Sequence, residues 1–195
     1  MSSAVWLTGM TGALILLAHL LNPEISMRTR MMSELSLGRF GWVMDLAYGS
    51  WMVAHIVVAK ALLPFVPVSL AVLLGLIGVL QGVAGYFRTD PMVTPARKPS
   101  RARRLHNIAA VGYIVGFPIV VLALGVSLLA GGYPFARRAL LLAVPVWGAF
   151  LLFVFLLARW RGQGLDIARD APLGLPNRLF ILAYLAWMFG MALKV

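Results

Sequence analysis

The stretch VSLAVLLGLIGVLQGVAGYF (68–87), RTDPMVTPARKPSRARR (88–104) and LHNIAAVGYIVGFPIVVLALGVSLLA (105–130) decides the fold. Two long apolar runs flank one basic connection. An α-helix rises about 1.5 Å per residue and the hydrocarbon core is about 30 Å thick, so about 20 apolar residues span a membrane. Backbone can cross lipid only as a helix or a closed barrel. Runs such as VLLGLIGVL lack the alternation of barrel strands, so they read as helices. Working outward, the same reading places further spans at 4–22, 41–63, 138–158 and 178–194. The expected fold is all-α, a polytopic integral membrane bundle of six transmembrane helices in a single domain covering 1–195.

Composition agrees. The chain is 62% hydrophobic and 12% charged, against roughly 25% charged in soluble domains. A soluble core of this size could not hide so much apolar surface. Cysteine is absent, which excludes disulfides, thiolate metal sites and cysteine nucleophiles. The start, MSSAVWLTGMTGALILLAHLLN, has no basic n-region and no small-residue cleavage site, so it reads as a retained first helix.

The net charge of +11 sits in the loops. The first holds Arg28, Arg30 and Arg39, and the third holds Arg88, Arg97, Lys98, Arg101, Arg103 and Arg104. The fifth holds Arg159, Arg161, Arg169 and Arg178. That is 13 cations on one side, against four on the other: Lys60, Arg137, Arg138 and Lys194. The positive-inside rule puts loops one, three and five in the cytoplasm of a cell-membrane protein, with both termini outside. This distribution suits topology and anionic headgroups, not nucleic acid. RKPSRARR (97–104) reads as a flexible cytoplasmic segment.

Gly75, Gly78, Gly82 and Gly85 share one face of the third span, and Gly112 and Gly116 lie in the fourth. Small residues at this spacing admit a close neighbour. The stripe fits packing within the chain, or a homodimer or membrane-protein partner. Pro118 and Pro145 interrupt spans four and five and are expected to kink them.

The polar residues of the spans are the functional candidates, because ionisable groups at membrane depth are costly. His19, Glu24, Asp45, Asp90, His106, Asn107 and Asn177 fall at the arginine-rich ends, with Ser33 and Glu34 in the first loop. Only His55 lies deeper, about 15 Å along the helix from Asp45. Each has a plainer reading: a helix cap, a turn or a packed histidine. No G-x-S-x-G, H-E-x-x-H or Walker sequence occurs. No spacing supports a metal site, and no cofactor is expected.

At these residues the chain resembles a prokaryotic membrane family, domain of unknown function 998. The likeness lies in S-E-L (33–35) followed by L-G-R-F-G-W-V-M-D, in F-R-T-D-P (87–91), in L-H-N-I-A-A (105–110) and in N-R-L-F-I-L-A-Y-L-A-W (177–187). Arg88 stands where that family usually has proline. The resemblance implies six helices and marks Ser33, Glu34, Asp90 and His106 as signature positions, but it implies no reaction. A looser likeness is to the eukaryotic Frag1/DRAM/Sfk1-like membrane proteins.

The leading functional expectation is binding or sensing of a lipid headgroup in a polar pocket at the cytoplasmic face. Glu34, Arg39, Asp45, Asp90, Arg104, His106, Asn107 and Asn177 are its candidate residues, and membrane lipids are the expected partners. The alternative is a lipid hydrolase, with His106 as general base held by Asp90 or Asp45 and activating Ser33 or water. A small transporter using Asp45 and His55, or an accessory subunit, are further readings. Asp90 and His106 are expected to share one site.

Overall fold

The structure, a computed structural model, describes residues 2–91, 100–162 and 172–194, without the side chains of 161 and 162. Six helices form: α1 (Ser3–Leu21), α2 (Gly41–Leu62), α3 (Val68–Tyr86), α4 (Arg101–Ala130), α5 (Ala136–Gly162) and α6 (Gly174–Ala192). A short 3-10 helix, Met32–Leu37, lies in the first loop. All six long helices have the length and hydropathy to cross a membrane. Large apolar side chains such as Leu16, Ile56, Leu76, Ile108, Leu141 and Leu182 are exposed on every one of them. A surface of this kind is stable only against lipid.

Consecutive helices pack antiparallel, and α6 returns to α1. The ring closes at both ends. Ser2 Oγ donates to the Ala192 carbonyl at 3.1 Å, while Arg178 of α6 reaches His19 of α1 at the opposite end. Helices α2 and α6 are the most buried and α5 the least. Trp51, Phe117, Tyr184 and Trp187 fill the centre.

The helix starts differ from the sequence reading where a cap intervenes. Helix α4 begins at Arg101, so Arg101, Arg103 and Arg104 form a helical turn and not a flexible segment. Ser100 caps it, its Oγ accepting from the Arg103 N–H at 3.0 Å. Cations oppose the positive end of a helix dipole, and Asp90, bonded to Ser100, supplies the compensating negative charge. Helix α6 likewise begins one turn early, so Asn177 and Arg178 are helical. Arg97, Lys98 and Arg169 lie outside the described residues. Pro118 and Pro145 both lie inside continuous helices.

The glycine face of α3 meets α2 of the same chain. A Cβ on Gly78 would strike the His55 side chain, one on Gly82 the Met52 sulfur, and one on Gly85 the Tyr48 ring. Gly75 only touches the Ala59 Cβ at 4.0 Å. The seam is therefore occupied within the monomer.

Gly85→Leu is expected to overpack this seam and lower stability by about 1–3 kcal/mol. Gly148 has open space around it, so Gly148→Ala should be neutral or should stabilise by up to about 1 kcal/mol. Thermal unfolding of both variants in detergent checks the contrast. Equal melting profiles would be incompatible with a tight α2–α3 seam.

Candidate functional site

The polar candidates gather at the arginine-rich end, but they divide into three arrangements. The first fastens loop one. Asn22 stands at the end of α1; its Nδ2 donates to the Ala18 carbonyl at 2.7 Å and its Oδ1 accepts from the Phe40 N–H at 2.9 Å. The two ends of the loop are thereby clasped. Inside it, the Glu34 carboxylate is fully buried. Arg30 grips both its oxygens, at 2.8 and 2.9 Å, and the Met31 N–H adds a third donor at 3.2 Å. Asn177 Oδ1 accepts from the Met32 N–H at 3.0 Å.

Arg178 completes this lock from α6. Its Nη1 donates to the carbonyls of Arg30 (2.7 Å), Gly174 (3.0 Å) and Met27 (3.2 Å), while its Nε donates to His19 Nε2 at 2.7 Å. His19 Nδ1 lies 2.8 Å from the Ile15 carbonyl. A carbonyl only accepts, so Nδ1 carries the proton and Nε2 offers its lone pair to Arg178. The histidine is therefore neutral in this arrangement. Sequence reading counted Arg178 as a loop charge and missed this role. The available signal was an arginine at the start of an apolar run, directly after Asn177.

The second arrangement ties α3 to α4. His106 is buried, and its Nδ1 donates to the carbonyls of Ala84 at 2.6 Å and Phe87 at 3.0 Å. These carbonyls lie at the C-terminal end of α3, where helix acceptors lack intrahelical partners. Asp90 accepts from the Ser100 hydroxyl at 2.7 Å and from its N–H at 3.0 Å. These bonds, aided by Arg103, hold the Asp90 carboxyl below the usual aspartate range. Among the described residues no hydrogen bond joins His106 to Asp90, Asp45 or Ser33. The expected Asp90–His106 partnership is not a direct one, because each residue serves a different helix end. Ser33 is half-buried, and Arg104 and Asn107 are exposed on α4. Arg39 is exposed and lies 5.4 Å over the Phe40 ring.

The third arrangement is a cavity of about 600 Å³ between α2 and α3. Gly49 and Met52 of α2 and Val79, Gly82 and Val83 of α3 are among its lining residues, with Tyr86 at its rim. Val79 and Tyr86 are exposed, so the groove opens outward to the lipid phase. At its arginine-rich end Arg88 pairs with Asp45 Oδ2. The other oxygen, Asp45 Oδ1, is out of solvent and has no hydrogen-bond partner among the described residues. Trp42 and Tyr86 are both exposed at this level, the depth at which amphipathic rings favour the membrane interface.

His55 lies apart from all three. Its Nδ1 donates to the Trp51 carbonyl at 2.8 Å, and its Nε2 accepts from the Tyr184 hydroxyl at 2.9 Å. Trp51, Phe117 and Tyr184 surround it. Nearby on α3, Gln81 is fully buried with its amide against the buried Tyr113 hydroxyl; it too escaped the sequence reading. Among the described residues no three potential metal ligands converge.

Replacing Arg178 by Met should open loop one. Hydrogen bonds to a charged group contribute about 1.5–3 kcal/mol each, so stability should fall by at least about 2 kcal/mol. Limited proteolysis within 23–40 should become faster, and an unchanged cleavage rate would refute the lock.

The Asp90 cap carries a pH dependence. Its native pKa lies below the unfolded value, so its contribution is complete above the ordinary aspartate range and is lost as pH falls through the depressed native value. Amide exchange in the first turn of α4 should accelerate between neutral pH and about pH 3, after correction for intrinsic rates. In Asp90→Asn this difference should be largely absent.

Residues 6–194 match the family model described as Protein of unknown function (DUF998). No curated protein and no solved structure matches the chain.

Proposed function

From the premise that the chain belongs to the DUF998 family, whose description names no activity, we propose that it binds a membrane phospholipid. An acyl chain would occupy the α2–α3 groove and the head would rest on Arg88 and Asp45. The supporting observation is the form of the groove: apolar along its length, open toward lipid, and ionic at one end. Gly49 hollows it, because no neighbour lies within 4 Å of the position its Cβ would take. The arginine-rich end would face the cytoplasm, as the loop charges favour.

Affinity in such a groove cannot come from the hydrophobic effect. A lipid tail leaves surroundings as apolar as those it enters, so the headgroup contacts must discriminate. Arg88 is the donor available to a phosphate; its side chain is 51% exposed although it is paired with Asp45. A guanidinium suits phosphate through its planar fork of N–H groups. Glu34, Asn177 and His106 would support this site indirectly, by fixing the loop and the helix ends around it.

Arg88→Gln should reduce the phospholipid retained on purification about tenfold, the equivalent of about 1.4 kcal/mol, read by native mass spectrometry. Gly49→Leu fills the groove without meeting a neighbour within 4 Å of its Cβ, and it should reduce retention while the melting temperature is held. Retention unchanged in both variants would sink the proposal.

A further inference from the structure

Resting on that reading of the groove, we infer that it selects phospholipids whose head carries a primary ammonium beside the phosphate, the ethanolamine type. Arg88 and Asp45 present a positive and a negative group side by side at the polar end of the groove. A zwitterionic head is complementary to this pair when laid head to tail, its phosphate on the guanidinium and its ammonium on the carboxylate. A purely anionic head would satisfy Arg88 but would meet like charge at Asp45, which disfavours it.

The carboxylate has capacity for this second partner. Arg88 engages Oδ2 alone, and among the described residues Oδ1 has no donor. An ionised carboxylate offers about four lone-pair sites and an ammonium supplies three N–H donors. The terminal torsion of aspartate is broad and roughly two-fold, so a small rotation exchanges the two oxygens at the groove wall. Both charges are also held independently of each other. Asp45 is carried by the second turn of α2 and Arg88 follows the C-cap of α3, so each keeps its place through its own helix. Inserting a head between them strands neither.

Choline is the informative competitor. Its quaternary nitrogen has no N–H and cannot donate to Asp45. It is recognised by aromatic enclosures, whereas Tyr86 here meets Phe87 edge-on, ring centroids 5.0 Å apart, and is 83% exposed. That arrangement leaves the ring open and not caged.

The test uses the wild-type chain in nanodiscs containing equal parts of phosphatidylethanolamine, its N-monomethyl and N,N-dimethyl forms, phosphatidylcholine and phosphatidylglycerol. Bound lipid is read by native mass spectrometry. Occupancy should fall stepwise as N–H donors are removed, with ethanolamine about tenfold above choline and glycerol heads. Asp45→Asn should level the ethanolamine-to-choline ratio. Free phosphoethanolamine should compete poorly if a lipid is the ligand, and as well as the lipid if a soluble head suffices; the latter would overturn the lipid assignment. Equal occupancy across the methylation series, a preference for choline or glycerol heads, or a ratio unmoved by Asp45→Asn would each overturn the amine selectivity while leaving phospholipid binding standing. Absence of every phospholipid would defeat the underlying reading as well.

Discussion

Water is scarce in the interior of a bundle set in lipid, so a polar group there that finds no partner within the protein carries a cost. That constraint organises the arginine-rich end. Helix termini leave carbonyls and N–H groups without intrahelical partners, and the conspicuous polar side chains serve them. His106 serves the carbonyls ending α3, Ser100 and Asp90 the start of α4, and Asn22 the two ends of loop one. Arg178 gathers three carbonyls of the loop and of its own helix. The groove is different in kind, because among the described residues Arg88 and Asp45 pair with each other alone and remain partly accessible.

Length and hydropathy made the six helices legible in sequence. Lipid imposes a minimum span, and charge is confined to the connections. The starts of α4 and α6 were less legible. An arginine-rich segment reads as loop until its cap is known, and the Asp90–Ser100 bond that makes it helical joins residues on either side of the 92–99 connection. The glycine spacing on α3 pointed to a close neighbour, but periodicity alone does not say whether that neighbour is α2 or another chain.

The candidate site was legible as a location and not as an arrangement. Polar residues at one end of six antiparallel helices must lie on one side of the bilayer, so their collective placement followed from counting spans. Their pairing did not follow. Glu34 with Arg30 is a local contact four residues apart, whereas Arg178 with His19 spans the ring closure and Asp45 with Arg88 spans the α2–α3 hairpin. Asp45 was read as a headgroup ligand or as a companion of His106 or His55; its observed partner is Arg88, 43 residues further on. Gln81 drew no notice because a lone amide in an apolar run carries no periodic signal.

The closure between α6 and α1 also bears on biosynthesis. Loop one emerges from the ribosome early with its local bonds, Asn22 to Phe40 and Arg30 to Glu34, yet two of the groups that fasten it, Asn177 and Arg178, belong to the sixth helix. Until that helix inserts, the carbonyls of Met27 and Arg30 lack their donor and one flank of α1 faces lipid or a chaperone. The first connection made is therefore among the last to acquire its final form. Assembly of this end of the molecule reports that the whole ring has been completed.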